Sequence, residues 1–191
     1  MLRETNAMME GHFLLSSGKH SDKYFQCARL FQYPHIACFA LKFIAEKILS
    51  DINEGKLKVD IVAGPAIGGI IAAWEIGRQL SLPAIFTERD ENGIMVVRRG
   101  FEIKEGDNVL IVEDVVTTGK SSQECAASLE NKGAVISALA CIVDRRAFDA
   151  PPVSLPFYPA ARLEAAAWMA DDCDLCRKGV PLIKPGSRKT I

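Results

Sequence analysis

The residues best suited to chemistry in this sequence are concentrated in one stretch, residues 109–121. Four aliphatic residues open the stretch and predict a strand buried on both faces. The carboxylates of Glu113 and Asp114 come next, followed by a loop of small, hydroxyl-bearing residues and a predicted helix, Ser122 to Lys132. Ligands of open α/β sheets bind beyond the carboxyl ends of the strands, so this order of elements predicts a ligand site.

The loop of this stretch suits a phosphate group. Its backbone N–H groups and the positive end of the following helix attract an anion, and Gly119 allows the backbone to approach closely. The hydroxyl groups of Thr117, Thr118 and Ser121 can donate hydrogen bonds to phosphate oxygens. The spacing differs from that of a Walker A sequence.

The two carboxylates must serve another group, because Glu113 and Asp114 would repel a phosphate. Carboxylates suit the hydroxyl groups of a sugar or a hydrated Mg²⁺. The alternative is a buried strand whose acidic end only caps a helix, although a single carboxylate or hydroxyl is sufficient for a cap.

This stretch resembles the phosphoribosyl-diphosphate (PRPP) motif of the type I phosphoribosyltransferases, in which a hydrophobic strand, an acidic pair and Val-Val-Thr-Thr-Gly follow one another. The resemblance implies that Glu113 and Asp114 hold the ribose hydroxyls and take part in catalysis. It also assigns PRPP contacts to Val115, Val116, Thr117, Thr118, Gly119, Lys120 and Ser121, of which residues 116–121 hold the 5′-phosphate.

A second strand, glycine-containing loop and helix precede this one. Residues 59–63 predict a strand, and an apolar helix is predicted from Ile70 to Leu80. In the type I transferases the loop between them binds pyrophosphate, which here implies Gly64, Pro65, Ala66, Ile67, Gly68 and Gly69. Some orotate enzymes of the family have Lys where this chain has Gly68, so backbone N–H groups would bind the anion instead. A tight turn without a ligand is the alternative.

Two further segments resemble the orotate phosphoribosyltransferases. Residues 15–26 are similar to a hood over the pyrimidine, which implies orotate contacts from Lys19, Tyr24 and Phe25. Some members have Lys where this chain has Ser16, so that contact is not carried over.

A predicted buried strand, Ala134 to Val143, ends in a charged group of three residues, Asp144 to Arg146. An Arg fork matches the two oxygens of a carboxylate such as that of orotate. The resemblance assigns this role to Arg145, with Thr117 also reaching the base, while an ion pair of Arg145 with Asp144 is the alternative.

The sequence departs from the family between Thr87 and Phe101. Well-known members have a mobile loop here with an essential Lys and His, and this chain has neither. Residues 86–97 predict a hairpin-like flap. Three arginines could neutralise pyrophosphate in place of the missing Lys and His, because guanidinium binds phosphate oxygens bidentately. They are Arg89 and the two expected catalytic groups, Arg98 and Arg99. Solvated surface arginines are the alternative.

Composition sets limits on the partners. The chain has 191 residues and a formal charge of −1, which favours neither a nucleic-acid nor a membrane partner. Six cysteines and no signal peptide or long apolar run indicate a reduced, cytoplasmic protein. Cys173 and Cys176 form a C-x-x-C pair, which is weak evidence for zinc without a second ligand pair. A surface turn with reduced thiols is preferred, and no metal bound directly by the protein is expected.

The pattern of elements predicts an α/β fold with a mostly parallel central sheet flanked by helices. The resemblance implies that this is the type I phosphoribosyltransferase fold. We expect a single domain over residues 1–191, with a core of about residues 34–150. A small hood would combine about residues 1–30 with parts of residues 153–191. A helix is predicted from Pro34 to Glu54. Residues 160–168 have helix propensity, whereas the resemblance implies a strand, and this remains open.

The expected activity is that of an orotate phosphoribosyltransferase, with PRPP and orotate as substrates. Mg²⁺ would be bound mainly through PRPP and water, and a homodimer would share its active sites. The alternatives are a phosphoribosyltransferase for a purine or other base, a non-catalytic regulator that binds nucleotides or RNA, and an α/β domain without a ligand.

Overall fold

A computed structural model describes residues 1–15, 17–147 and 149–185. Ser16, Phe148 and residues 186–191, the end of the expected hood among them, lie outside the described residues. The strands are β1 Met8–Leu14, β2 His20–Phe25, β3 Ile61–Pro65, β4 Ala84–Arg89, β5 Met95–Val97, β6 Asn108–Val116, β7 Val135–Asp144, β8 Phe157–Arg162 and β9 Ala167–Trp168. The α-helices are α1 Ala28–Phe31, α2 Pro34–Asn53, α3 Gly68–Leu80, α4 Lys120–Glu130 and α5 Asp174–Arg177.

The core is a six-stranded sheet in the order β5-β4-β3-β6-β7-β8. All neighbouring strands are parallel except β4 and β5, whose antiparallel pairing forms the hairpin predicted for residues 86–97. The side chains of Val109, Leu110 and Val112 on β6 are fully buried, as a strand covered on both faces requires. The predicted mostly parallel α/β fold is therefore confirmed.

The central strand is longer than predicted. β6 continues to Val116, so Glu113 and Asp114 lie within the strand and are not part of the loop after it. The predicted helix start at Ser122 is also wrong, because α4 begins at Lys120 and ends at Glu130. The loop therefore contains only Thr117, Thr118 and Gly119, which shortens the distance between the strand end and the helix N-terminus.

Helices cover both faces of the core sheet. α2 and α3 pack on one side, in a cluster that includes Leu41, Ile76 and Leu110, and α4 packs on the other side through Cys125 and Leu129. α2 starts with Pro34 in its first turn, as predicted, and ends at Asn53, one residue before the predicted end at Glu54. Phe39 and Phe43 of this helix are 53% and 54% exposed, so helical spacing alone does not place them in the core.

A second sheet, in the order β1-β2-β9, joins the two ends of the chain. Its strands are antiparallel, and the C-terminal segment adds to β1 by two backbone bonds, from the N–H of Leu14 to the Ile183 carbonyl and from the N–H of Ile183 to the His12 carbonyl. Residues 157–162 instead form the edge strand of the core sheet, so that sheet extends beyond residue 150. No helix in the described part of the chain is long and apolar enough to cross a membrane.

The open question over residues 160–168 is resolved in favour of extended structure. β8 runs to Arg162 and β9 covers Ala167 and Trp168, with no helix between them. Pairing with β7 and β2 outweighs the helix propensity of the alanines, and Pro159 fits because β8 is an edge strand.

Candidate active site

The two carboxylates of β6 point to opposite faces of the sheet, as neighbouring strand residues must. Asp114 faces α3, where it lies against Gly68. Its Oδ1 accepts a hydrogen bond from the backbone N–H of Val115 at 2.8 Å. Glu113 faces α4, where Ser122 Oγ donates to its Oε1 at 3.4 Å. The two carboxylates are therefore supported by different helices.

Both carboxyl groups are held in surroundings that disfavour ionisation. Burial, together with the nearby Asp114 charge, raises the pKa of Glu113 to about 8. Burial also raises the pKa of Asp114 from its ordinary value, against the opposing effect of the Val115 N–H bond. Acceptor groups of this kind suit a ligand that supplies hydroxyl donors or a cation.

The short loop after β6 is arranged for an anion. Thr117 and Thr118 are exposed, and Gly119 adopts a left-handed conformation with φ of 74° immediately before α4. The first turn of a helix has N–H groups without intrahelical acceptors, and here the N–H of Lys120 lies 3.4 Å from the Thr118 hydroxyl oxygen. Lys120 is exposed and begins the helix. The structure thus brings together the residues that the sequence assigned to a phosphate.

The two glycines that begin α3, directly after the β3–α3 loop, permit close packing. A Cβ on Gly68 would lie 2.5 Å from both carboxylate oxygens of Asp114, and a Cβ on Gly69 would lie 2.8 Å from the Val112 carbonyl oxygen. Side chains at these positions would push α3 away from β6. Ile67 is exposed at the tip of this loop, and the Ala66–Ile67 peptide is cis. These close contacts add a packing requirement to the exposed N–H groups expected in this loop.

Arg145 lies between the core and the hood. Its backbone N–H donates to the Val116 carbonyl at 2.8 Å, which fixes it beside the phosphate loop. Its guanidinium donates to Ser21 Oγ at 3.4 Å and lies 5.8 Å from the centroid of the Phe25 ring. Burial lowers its pKa from the ordinary value. Among the described residues we find no carboxylate within 4.0 Å of this guanidinium.

The ion pair with Asp144 that was the alternative for Arg145 is formed by Arg146. Arg146 binds the Asp144 carboxylate through two hydrogen bonds of 2.9 Å, and Arg162 approaches the same carboxylate at 3.7 Å. Asp144 is thereby neutralised without Arg145, because successive residues after the strand point in different directions. The guanidinium of Arg145 therefore stays directed to the hood.

The remaining predicted orotate contacts lie along β2. Phe25 is buried, and the Tyr24 hydroxyl donates to Gln26 Oε1 at 3.2 Å. Lys19 is exposed in the turn before β2, and the described contacts do not connect it with Arg145. The sequence analysis missed Ser21, which has no motif of its own and is identified only by its contact with the guanidinium.

The arginines of the flap are paired with carboxylates. Arg99 binds Glu88 through bonds of 2.7 and 2.9 Å, and Arg98 lies 4.0 Å from the same carboxylate. Arg89 pairs with Glu124 on α4. All of these groups are at least partly exposed, so a strongly charged ligand could compete for the cations.

A cavity of about 460 Å³ opens beside the phosphate loop, between α4 and residues 150–155. Thr117 and Gly119 lie at its rim, and Ile136 and Leu139 form part of its apolar wall. Such a wall does not suit phosphates, so the loop itself is the better anion site.

The cysteine pair is not the surface turn that the sequence favoured. Cys173 is fully buried and Cys176 is exposed, and both lie against the rings of His12 and His20. His20 of this group is adjacent to Ser21 on β2. The group is not part of the site described above.

Mg²⁺ fits the site only as an ion shared with a ligand. The separated carboxylates of Glu113 and Asp114 do not form an all-protein cage, whereas Mg²⁺ typically keeps several waters and binds one or two carboxylates plus substrate phosphates. Asp114, half-buried at the strand end, is the better placed of the two.

Comparisons with known proteins give the family. Residues 37–157 match the family described as phosphoribosyl transferase domain. An orotate phosphoribosyltransferase of Caldicellulosiruptor bescii is 45% identical over 191 residues, which is 99% of this chain and 95% of that protein.

Two solved structures are similar over most of the chain. The orotate phosphoribosyltransferase of Aeropyrum pernix has a TM-score of 0.71 and 25% identity, covering 85% of this chain and 91% of that one. The UMP synthase of Leishmania donovani has a TM-score of 0.69 and 26% identity, covering 85% of this chain and 35% of that one.

Proposed function

The chain belongs to the orotate phosphoribosyltransferases, within the type I phosphoribosyltransferases, and from this we propose that it transfers ribose 5-phosphate from PRPP to orotate. The products are orotidine 5′-monophosphate and pyrophosphate, a step in pyrimidine biosynthesis. The bond between the anomeric carbon and pyrophosphate breaks while orotate nitrogen attacks that carbon, and positive charge builds on the ribose ring. Positioning and leaving-group stabilisation therefore matter more than a protein nucleophile.

One observation carries the proposal: the hydrogen bond from the Arg145 N–H to the Val116 carbonyl, at 2.8 Å. It joins a guanidinium that suits a carboxylate to a loop that suits a phosphate. Orotate has a carboxylate and PRPP has the 5′-phosphate, so one edge of the sheet offers matching groups to both substrates.

The ribose-phosphate part of PRPP would bind around β6 and α4. Asp114 and Glu113 accept hydrogen bonds from the ribose hydroxyls, and residues 116–121 hold the 5′-phosphate through N–H groups and the threonine hydroxyls. The burial that raises the carboxyl pKa values is offset when these hydroxyls, or a cation, approach.

The leaving pyrophosphate would meet the loop of residues 64–69 and the arginines of the flap. The ion pairs of Arg98 and Arg99 with Glu88, and of Arg89 with Glu124, would break so that these arginines bind pyrophosphate, the more highly charged anion. Bound Mg²⁺ would neutralise pyrophosphate oxygens, with Asp114 reaching it directly or through water. The flap also shields the reacting carbon from water, which would hydrolyse PRPP.

Orotate would lie under the hood. Its carboxylate pairs with Arg145, and its ring faces Phe25 and Tyr24, with Thr117 and Lys19 at the margin. Since no carboxylate of the described residues lies within 4.0 Å of the Arg145 guanidinium, this group is available for the substrate.

We also propose a homodimer that shares its active sites. Four large apolar side chains are at least half exposed on the packed pair α2 and α3, namely Phe39, Phe43, Ile71 and Trp74. Exposed apolar groups of this size on neighbouring helices mark an interaction surface. Because α3 starts at the pyrophosphate loop, a partner on this surface would lie next to the site.

The test is orotate consumption, followed by its ultraviolet absorbance, with PRPP and Mg²⁺ present and with each omitted in turn. Loss of orotate only in the complete mixture supports the proposal. Turnover of adenine, guanine or hypoxanthine with inert orotate would indicate a purine enzyme. PRPP binding without turnover of any base would indicate a regulator.

A further inference from the structure

Four side chains from opposite ends of the sequence meet in the hood. His12 lies on β1 and His20 begins β2, while Cys173 and Cys176 flank the start of α5. One ligand atom from each of the four lies within 4.8 Å of every other. His12, His20 and Cys173 are at most 6% exposed, whereas polar groups of this kind are rarely buried without a partner or a metal.

The ring of His12 is held in the orientation that a metal ligand needs. Its Nδ1 lies 2.8 Å from the Val180 carbonyl oxygen and must donate to it, because a carbonyl accepts. In neutral His12 the Nε2 lone pair is then directed to the other three groups. A backbone carbonyl bound to the outer ring nitrogen is the usual support of a histidine that binds a metal.

The distances match a single tetrahedral ion. His12 Nε2 lies 3.4 Å from Cys173 Sγ and 3.8 Å from Cys176 Sγ, and His20 Nδ1 lies 3.3 Å from Cys176 Sγ. Bonds of about 2.3 Å to sulfur and about 2.0 Å to nitrogen place such ligand pairs roughly 3.5 Å apart on a tetrahedron. The two ring nitrogens are 2.9 Å apart, a little closer than that, as a shared hydrogen bond would also give.

We propose that His12, His20, Cys173 and Cys176 bind one Zn²⁺ that joins the two ends of the chain in the hood. Two thiolates and two imidazoles in a tetrahedral set favour zinc among common metals. A two-iron cluster would need its ligands divided between two metal ions and therefore more widely spread. Four protein ligands leave no open position, so the ion is structural and not catalytic.

This ion would stabilise the strand that approaches Arg145. His20 is adjacent to Ser21, whose hydroxyl accepts from that guanidinium. The C-terminal segment is otherwise attached to β1 mainly by the two backbone bonds of Ile183. The second ligand pair that the C-x-x-C sequence lacked would thus come from about 160 residues away, and this site would replace the expectation of no protein-bound metal.

The test is the metal content of the full chain, purified under reducing conditions without a chelator. We expect one zinc ion per chain by mass spectrometry, and loss of zinc in Cys176→Ser and in His20→Gln. His35→Gln and Cys38→Ser are matched controls, because both residues lie outside the group, on α2, and should keep the zinc.

A second measurement needs no variant, in case the substituted chains fail to fold. Replacement of the metal by Co²⁺ should give the visible bands of a tetrahedral ion together with thiolate-to-cobalt charge transfer. Zinc far below one per chain with no charge-transfer band would overturn the proposal. Undiminished zinc in Cys173→Ser/Cys176→Ser would also overturn it. None of these readouts depends on transferase activity.

Discussion

The carboxylate of Asp114 lies against the backbone of Gly68, so closely that a Cβ there would be 2.5 Å from both of its oxygens. This contact joins the start of α3, next to the loop that we assign to pyrophosphate, to the part of β6 that precedes the loop that we assign to the 5′-phosphate. The acidic group that would orient the ribose is therefore positioned by the loop that would bind pyrophosphate.

Gly68→Ala should displace Asp114 and raise the KM for PRPP by about tenfold or more, because small displacements at a reacting centre are costly. Steady-state kinetics with PRPP varied would measure it. The control is Gly55→Ala, where no atom lies within 4 Å but φ is +70°. That variant should lose stability and keep its KM, so an equal KM change in both would contradict the steric argument.

Asp114→Asn should lower kcat/KM for PRPP by at least about tenfold, because the amide is a weaker acceptor for the ribose hydroxyls than a carboxylate. Initial rates at saturating orotate would measure the effect. Glu46→Gln, at an exposed carboxylate on α2 that pairs with Lys42, is the control. Unchanged turnover in Asp114→Asn would remove the proposed ribose contact.

Arg145→Ala should raise the KM for orotate much more than the KM for PRPP. A charge-assisted hydrogen bond contributes about 1.5–3 kcal/mol, which corresponds to roughly 10- to 150-fold in affinity. Arg3→Ala is the control, because this exposed arginine pairs with Glu10 on β1, and the substitution should leave both constants unchanged. Equal increases in both constants for Arg145→Ala would count against a specific orotate contact.

Arg98→Ala/Arg99→Ala should lower kcat by about tenfold or more, because the leaving pyrophosphate loses two cations. Rapid-quench kinetics would separate the chemical step from product release. Glu88→Gln frees the same arginines and should not lower kcat. If the double arginine variant turns over normally, the flap does not replace the missing Lys and His.

Phe43→Glu/Trp74→Glu should convert a dimer into a monomer of 20.9 kDa, because charges would be placed on an apolar interface. Light scattering after size-exclusion chromatography would measure the mass. Val135→Glu alters an exposed apolar residue away from α2 and α3 and should leave the dimer intact. A monomeric wild-type chain would refute the proposed assembly.

Local patterns were sufficient for much of the fold. The aliphatic run before Glu113 predicted the central strand, and Pro34 with its helical spacing predicted α2. The same spacing did not reveal that Phe39 and Phe43 are exposed, since periodicity identifies an apolar face but not what covers it. It also could not fix where the strand gives way to the loop, which depends on pairing with β7 through Val116.

The site was predictable where one motif contains the chemistry and not where distant segments meet. The loop of residues 117–119 was identified from its own sequence. Three other features depend on tertiary packing. They are the ion pair of Asp144 with Arg146, the contact of Ser21 with Arg145, and the position of the histidines beside Cys173. No spacing rule within the sequence carries such information.

The last prediction concerns Glu113, whose pKa is raised from 4.5 to about 8 by burial and by Asp114. The folded chain keeps this proton in a range where the unfolded chain has lost it, so stability is fully present below about pH 4.5 and falls as pH rises toward about 8. Glu113→Gln should remove this loss and raise the melting temperature at the alkaline end by at least about 2–4 °C. Thermal unfolding without ligand across that range would measure the change, with Glu46→Gln as a control that should follow the wild type.

PRPP binding should show the opposite dependence on pH in the wild type, because Glu113 can accept hydrogen bonds from the ribose hydroxyls only as it ionises. This dependence should be absent in Glu113→Gln. If the pH profiles of the wild type and Glu113→Gln are the same, Glu113 does not hold a proton at neutral pH.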